Sequence, residues 1–577
     1  MTTLLTPRTQ EMHRRPLVPA TAVAMLVLSL CSLAAGQTQE PTAGAKPVAD
    51  DAAWAIVGKF ATGEVSLVIE QHEGKYRGKL TKGEKQFDFT GQLKGKSFEG
   101  LLEIGATKSP FSATLEEDQL TLTLGIDTYK LARVDSQPSP PFAREGNTLY
   151  KQTLLAKSDD VQVSSEVASP DSRRIGFIVQ RDGLRFVAVN GVEGKGYRRV
   201  VSITFSRDSK RHFYIAEQSD GKLVVVVDEV ESEPSDDFGT GSVQFSPDSQ
   251  RVAFVTVRDG KWRAVIDGKE GTPYDRIYKL RFSPDSKRVA FVGKRDGRRH
   301  AVVDGSEQKG YDDIDSEGVG FSPDSKRVVY FAIKGLRQCV VVDGVEGKAH
   351  EAVAGFGFSL DSLHSGYIFL REGQYVFVYD GQEKGAYDTI NGLSISGNSK
   401  RTALSAKSSS QWFQVIDDRP DPKFDGVAAP IFSPDSQRVA YAAMQNGKWS
   451  FIQNGKAGLR HDQIPYYLFS PDSKRLAYLA VEADKMYCVE DGKPVSERFD
   501  QIWRNALYFS PDSKHLVFGA SRQDRSFLVV DGIESVLDGQ FLSTGQLVFE
   551  SGNQFRIIIR RGPSYYRLDV KIVEPGK

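Results

Sequence analysis

Ten stretches of this chain repeat one short turn grammar, and their spacing leaves few folds open. The best copies read Phe-Ser-Pro-Asp-Ser and begin at Phe245, Phe282, Phe321, Phe432, Phe469 and Phe509. Weaker copies surround Asp171, Asp208, Asp361 and Asn398. From each of these acidic or amide positions to the next, the steps are 37, 40, 37, 39, 37, 37, 37, 37 and 40 residues. A fixed period of this size marks an array of small units, each too small to bury its own apolar face.

The stretch Val243 to Ile277 shows what one unit contains. A strand ends at Phe245-Ser246. Ser246-Pro247-Asp248-Ser249 is a turn, because Pro pre-sets the first central position and Asp suits the second. Arg251 to Val255 alternates as a second strand, and Arg258-Asp259-Gly260 is a hairpin signal. Trp262 to Ile266 forms a third strand ending in Asp267-Gly268, and Tyr274-Asp275-Arg276-Ile277 is expected as a fourth. Four strands of about five residues with four turns account for the period.

Phe-Ser-Pro-Asp-Ser-Lys-Arg-Val-Ala-Phe resembles the WD40-like, or PD40, repeat of TolB-type periplasmic proteins, over about three quarters of the chain. The resemblance implies an all-β fold, a β-propeller of four-stranded blades. Ser stands where that repeat usually has Gly, at Ser249, Ser286, Ser325, Ser436, Ser473 and Ser513. Ser is poorly suited to positive φ, so a type I turn is expected there. With a degenerate eleventh copy from Phe541 to Leu547, about ten or eleven repeats form one large ring or two rings. The blurred copies near Asp361 and Asn398 tilt the reading toward two.

The rest of the chain divides by composition. Residues 1–36 read as a signal peptide, with a basic start, an apolar run from Ala20 to Ala35 and small residues before Gln37. Residues 37–52 are a flexible lead-in and 136–147 a Pro-rich linker. Between them, 53–135 hold seven or eight alternating runs, read as a small antiparallel β-barrel or sandwich. Residues 148–577 are the repeat array. Cys339 and Cys488 sit in apolar runs and read as buried thiols, too far apart in the array for a disulfide.

Lys plus Arg equals Asp plus Glu at 75 each, so no global field favours nucleic acid. There is no Gly-x-Ser-x-Gly elbow, no His-Glu-x-x-His and no Cys-x-x-Cys. No catalytic residue, cofactor or metal site is therefore expected. Two charged sets recur with the repeat. The arginines Arg251, Arg288, Arg327, Arg401, Arg438 and Arg475 read as local pairing partners. The acids Asp275, Asp312, Asp388, Asp425, Asp462 and Asp500 would stand at one height in a ring. A hard cation could bind there, but bonding to a nearby backbone amide is the favoured reading.

A repeat cannot by itself single out a partner, so binding residues are sought where blades depart from it. Trp412 with Arg419, and Tyr466, Tyr467, Trp503 and Arg504, are the candidates. The same aromatics could simply pack blades. The functional expectation is an exported scaffold, periplasmic or extracellular, binding a protein or cell-envelope component, with no membrane span once the signal is removed. Carbohydrate or small-ligand binding is the alternative, and an enzyme with an axial site the third reading.

Overall fold

The computed structural model describes residues 58–573, apart from 63–64, 73–74, 83–84, 95–96, 105–106, 117–118, 126, 134–142, 146, 159–161, 240–242, 504–506 and 543–545. The signal peptide, the lead-in and residues 136–142 of the expected linker lie outside the described residues. Two compact units divide near residue 143.

The first unit is an eight-stranded antiparallel barrel, from Gly58–Thr62 to Asp127–Arg133. It closes through a short pairing of Phe60 with Arg133 and Ala61 with Ala132. Its inward positions are apolar: Phe60, Leu67, Phe89, Phe98, Phe111 and Leu122 are buried together. Three strands carry an aromatic-x-Gly-x-Leu run, at Tyr76, Phe89 and Phe98. A Cβ on Gly78 would meet Phe89, one on Gly91 would meet Phe98, and one on Gly100 would meet Phe111. Each glycine thus makes room for a ring on the next strand. The outward positions Arg77, Lys79, Thr81, Asp88, Glu99 and Lys130 are polar, the reverse of a barrel whose outer wall meets lipid.

The second unit is one ring of eleven blades, numbered here in chain order. Blades 1 to 10 begin at residues 162, 199, 237, 276, 313, 352, 389, 426, 463 and 501. Blade 11 combines strands from 540–572 with Thr148–Lys157 and, outside it, Ala143–Glu145. Thr148–Lys157 pairs along Ser564–Ile572, so the start of the array closes on its end. This overturns the tilt toward two rings. The blurred copies mark no break in the ring: blades 5 to 6 and 7 to 8 keep the repeat's bond, Asp324 N–H to Ser362 Oγ (2.9 Å) and Asn398 N–H to Ser436 Oγ (3.1 Å). Blades 6 and 7, where Ser399 Oγ makes no such bond, are held by Tyr379 donating to Ser399 O (3.0 Å) and by Lys384 pairing with Asp418 (2.9 Å). A repeat contacting only its neighbours tolerates a degenerate copy as long as those contacts persist.

Two local expectations also change. The fourth strand starts immediately after the second hairpin, at Lys269–Glu270 in blade 3, whereas Tyr274 makes an isolated bridge with Trp262 and Arg276 opens blade 4. The turn serines do adopt positive φ: Ser249 lies at 65°, Ser286 at 67° and Ser513 at 60°. The turn itself closes in the type I manner, Ser249 N–H donating to Ser246 O at 2.8 Å, and the left-handed residue follows its two central positions.

Neighbouring blades meet through short side chains at their first strands and long ones at their fourth. A serine hydroxyl spans the gap from Asp248 to Ser286, whereas Lys309 Nζ reaches Glu346 (2.9 Å) at the far edge. The sheets therefore converge at the first strand, which lies toward the axis. With about 10 Å between sheets and about 4.8 Å between strands, the first strands of a ring of eleven stand roughly 10 Å from the axis.

Candidate functional site

The repeat first satisfies itself. In blade 3, Ser246 Oγ donates to Asp248 Oδ1 (2.5 Å), which also accepts the Gln250 N–H (3.0 Å). These bonds hold the Asp248 carboxyl below the usual carboxylate range, the Ser246 hydroxyl first among the causes. Arg251 Nε pairs with Asp267 of its own blade (2.8 Å). Its Nη1 donates to Ser286 O (2.9 Å) and Lys287 O (2.8 Å) in the next, and its guanidinium lies over Phe282, 5.2 Å from the ring centre. Arg211, Arg288, Arg401 and Arg475 repeat the arrangement. These arginines are clamps between blades, more than the local pairs expected of them.

A second network lies toward the outer edge. Tyr197, Tyr274 and Tyr311 each donate a hydroxyl hydrogen bond to a fourth-strand glutamate of the next blade, Glu231 (2.7 Å), Glu307 (3.0 Å) and Glu346 (2.9 Å). Glu346 also pairs with Lys334 and Lys309, and these cations, with Tyr311, hold its carboxyl down at about 2. The junction acids cap hairpins: Asp312 accepts the Gly335 N–H (2.7 Å), Asp388 that of Ser409 (2.8 Å) and Asp425 that of Asn446 (2.7 Å). The backbone-amide reading of these acids is thus the observed one. Among the described residues no group of three or more His, Cys, Asp or Glu could hold a metal ion. Cys339 and Cys488 are buried free thiols, and burial raises both above the ordinary thiol value.

The outer network is interrupted at blades 2–3 and 5–6, where Ser235 and His350 replace the tyrosine, and in blades 7 to 9 the glutamate itself is gone. At the glutamate position stand Pro420, Ala457 and Pro494, and at the tyrosine position Phe424 and His461. His461 is 1% exposed, with Nδ1 2.9 Å from the Tyr487 hydroxyl and Nε2 3.2 Å from that of Tyr478. Burial lowers its pKa, disfavouring the protonated ring. Two open grooves lie at these blades. One, of about 600 Å³ at the boundary of blades 7 and 8, has Arg401, Arg419, Asp421, Tyr441 and Asn454 in its wall. The other, of about 570 Å³ at the boundary of blades 9 and 10, is lined by Glu482, Tyr487, Pro494, Arg498 and Arg522. Tyr441 donates to Asp421 (2.8 Å), and Arg498 pairs with Glu482 (2.6 Å) while lying 5.0 Å over the Tyr487 ring.

The candidate residues divide among these surroundings. Arg419 is exposed in the first groove. Trp412 packs with Phe424, Tyr441 and Val427 between blades 7 and 8, with Lys407 5.7 Å from its ring. Tyr466 and Tyr467 are on the first strand of blade 9, where Tyr467 donates its hydroxyl to Ala429 O of blade 8 and meets Phe451 edge-on at 5.2 Å. Trp503 of blade 10 rests against Phe541 of blade 11, centroids 4.8 Å apart, above Gly519. Arg504 lies outside the described residues. Tyr466, Tyr467 and Trp503 thus share an axial arc of adjacent blades, while Trp412 and Arg419 stand on the third and fourth strands of blade 7. Residue reasoning missed Tyr487, Arg498 and Tyr441. The available signal was proline in place of the fourth-strand glutamate.

The chain is similar in fold to solved β-propellers. It is 14% identical to the Dos1 propeller, covering 51% of this chain and 90% of that one, TM-score 0.28. It is 11% identical to TolB from Acinetobacter baumannii, covering 57% and 78%, TM-score 0.21. It is 14% identical to the β-propeller domain of the Trilobed protease from Pyrococcus furiosus, covering 51% and 95%, TM-score 0.22. No protein-family model matches the chain, and no curated protein matches it.

Proposed function

We propose that this chain is an exported, non-catalytic propeller scaffold that holds a protein or cell-envelope component on blades 7 to 10. One observation carries the reading. The fourth-strand glutamate is lost in blades 7 to 9, and two grooves lie at blades 7 to 10, with Arg419, Arg498 and Tyr487 in their walls. Arginine and aromatic residues are favoured where partners bind tightly. No helix among the described residues is long and apolar enough to cross a membrane.

The test is recovery of a partner from cell-envelope extracts by the mature chain, by the array alone, and by the mature chain carrying Arg419→Ala and Arg498→Ala. The reading expects one species held by both wild-type forms and lost by the double variant. Recovery of nothing, or recovery indifferent to the substitutions, overturns it. The small-ligand alternative does not use the barrel interior, which is filled by its own phenylalanines, and leaves the grooves and the ring's axis. Saturable binding of an oligosaccharide that the same double variant abolishes, with no protein recovered, would favour it.

A further inference from the structure

The hairpins joining second to third strands all emerge on one face of the ring, and in three successive blades they oppose like charges. In blade 3 Arg258 is the cross-strand partner of Lys261. In blade 4 Arg295 faces Arg298 and Lys294 faces Arg299. In blade 5 Lys334 faces Arg337. Like charges directly opposite on paired strands destabilise the pair. Other blades avoid this at the same position, with Arg181 against Leu184, Arg371 against Gln374, Gln445 against Lys448 and Glu482 against Lys485. Blade 10 also opposes like charges, Arg522 to Arg525, with Glu534 holding Arg522 at 3.2 and 2.6 Å as fourth-strand glutamates hold Arg258, Arg295 and Lys334.

Neighbouring acids only partly neutralise the arc. Arg258 pairs with Glu270, Lys261 with Asp275, Arg295 with Glu307, Arg299 with Asp313 and Lys334 with Glu346. Lys294, Arg298 and Arg337 have no ion pair among the described residues, and the two arginines reach only backbone carbonyls, Gly310 O at 3.5 Å and Ala349 O at 3.4 Å. Between the cations of blade 5 stands Leu336, at the tip of its turn and 96% exposed, the most exposed large apolar side chain described.

We propose that the hairpin face of blades 3 to 5 docks on an anionic lipid surface, Leu336 entering the headgroup layer while Lys294, Arg298 and Arg337 meet lipid phosphates. Three features favour a membrane over an acidic protein. Successive blades of a ring bring their hairpins to one height, which suits a plane. Arginine forks match phosphate oxygens in pairs. An apolar side chain flanked by cations is the arrangement that holds a surface-bound segment at the lipid–water boundary. The unfavourable cross-strand pairs then have a use, because lipid phosphates would relieve the repulsion. This arc lies on different blades from the two grooves, so lipid docking and partner recovery can fail independently.

The test is co-sedimentation of the mature chain with vesicles of equal parts phosphatidylglycerol and phosphatidylcholine, and with pure phosphatidylcholine. Expected is binding to the anionic vesicles only, weakened by salt as screening shortens. Removing Lys294 and Arg298 together as alanines should lower affinity by roughly tenfold or more, at about fivefold per cation. Leu336→Ser should lower vesicle binding without changing binding to soluble polyglutamate. Arg525→Ala, on blade 10, should leave vesicle binding unchanged. Because Arg298→Ala removes a repulsion, its melting temperature should not fall, which separates lost docking from lost folding. Absent binding to anionic vesicles, or equal binding to neutral ones, overturns the proposal. Tighter binding to polyglutamate than to vesicles, with Leu336→Ser affecting neither, assigns the arc to an acidic protein and also overturns it.

Discussion

Ser286 of blade 4 accepts the backbone N–H of Asp248 in blade 3 at 2.9 Å, while its own backbone sits at a φ of 67°. A left-handed conformation costs a non-glycine residue about 1–2 kcal/mol. The hydroxyl offsets that cost by satisfying a neighbour's amide and stitching two blades. Glycine would relax the backbone and leave the amide unpaired. The departure from the resembled repeat is therefore an exchange of local comfort for a bond between blades.

Ser286→Ala keeps the strained backbone and loses the bond, so it should destabilise the chain by about 1–3 kcal/mol. Ser286→Gly should cost about 1 kcal/mol less, because the strain is relieved. Melting temperatures should rank wild type, then Gly, then Ala, and exchange of the Asp248 amide should speed up in both variants. An alanine variant as stable as the glycine one would remove the argument.

Arg251 ties Asp267, two carbonyls of blade 4 and the Phe282 ring at once. Arg251→Ala should cost about 1.5–3 kcal/mol. Arg251→Lys should recover less than half of that, because an ammonium cannot present the planar fork. Denaturant titration of the three proteins decides this, and full recovery by lysine would refute the clamp.

Acid should act through two identified groups. Glu346 is held at about 2 against an ordinary 4.5, by Lys334 first, then Lys309 and Tyr311. Its contribution is present above 4.5 and lost as pH falls from there toward 2. His461 is lowered by burial from 6.5, so the unfolded chain binds its proton more readily and stability falls as pH drops through 6.5. Glu346→Gln should flatten the first limb and His461→Gln the second. Melting curves across pH separate them, and unchanged pH profiles would count against both assignments.

In the barrel, Gly100 lies under the Phe111 ring, with no room for a Cβ. Gly100→Ala should destabilise this unit by about 1–3 kcal/mol through overpacking. The double variant Gly100→Ala with Phe111→Leu should regain part of the loss. Hydrogen exchange of residues 58–133 follows the unit directly, and a Gly100→Ala protein with unaltered protection would falsify the packing account.

The blade grammar was legible because turns and strand alternation are local. Pro247 and Asp248 impose their geometry on the turn, and the hairpin signals recur at fixed offsets from it. The acids expected to bond a nearby amide do bond amides, but in hairpins 21 to 23 residues on, so that pairing comes from the fold of the next blade and not from the local turn. The missing outer ties were harder to find, because each is a paired loss about 33 residues apart. Phe424 with Ala457 and His461 with Pro494 stand where Tyr274 meets Glu307. Nothing in either member alone signals the missing bond. The like-charged hairpins escaped notice too, because opposition depends on strand register. In sequence, Lys294-Arg295 and Arg298-Arg299 are merely basic.

By itself the sequence determined the unit: four strands, a Pro-Asp turn, an approximate period and an apolar barrel ahead of the array. Those properties follow from backbone preferences and side-chain alternation within a few tens of residues. Only the tertiary structure decided that there is one ring, that turn serines accept positive φ, and which blades leave grooves. Ring closure rests on Thr148–Lys157 pairing with Ser564–Ile572, more than 400 residues away along the chain. The serine conformation is stabilised by an amide of the preceding blade. Both are contacts between units, and a repeated motif specifies each unit far more strongly than it specifies how many will close around an axis.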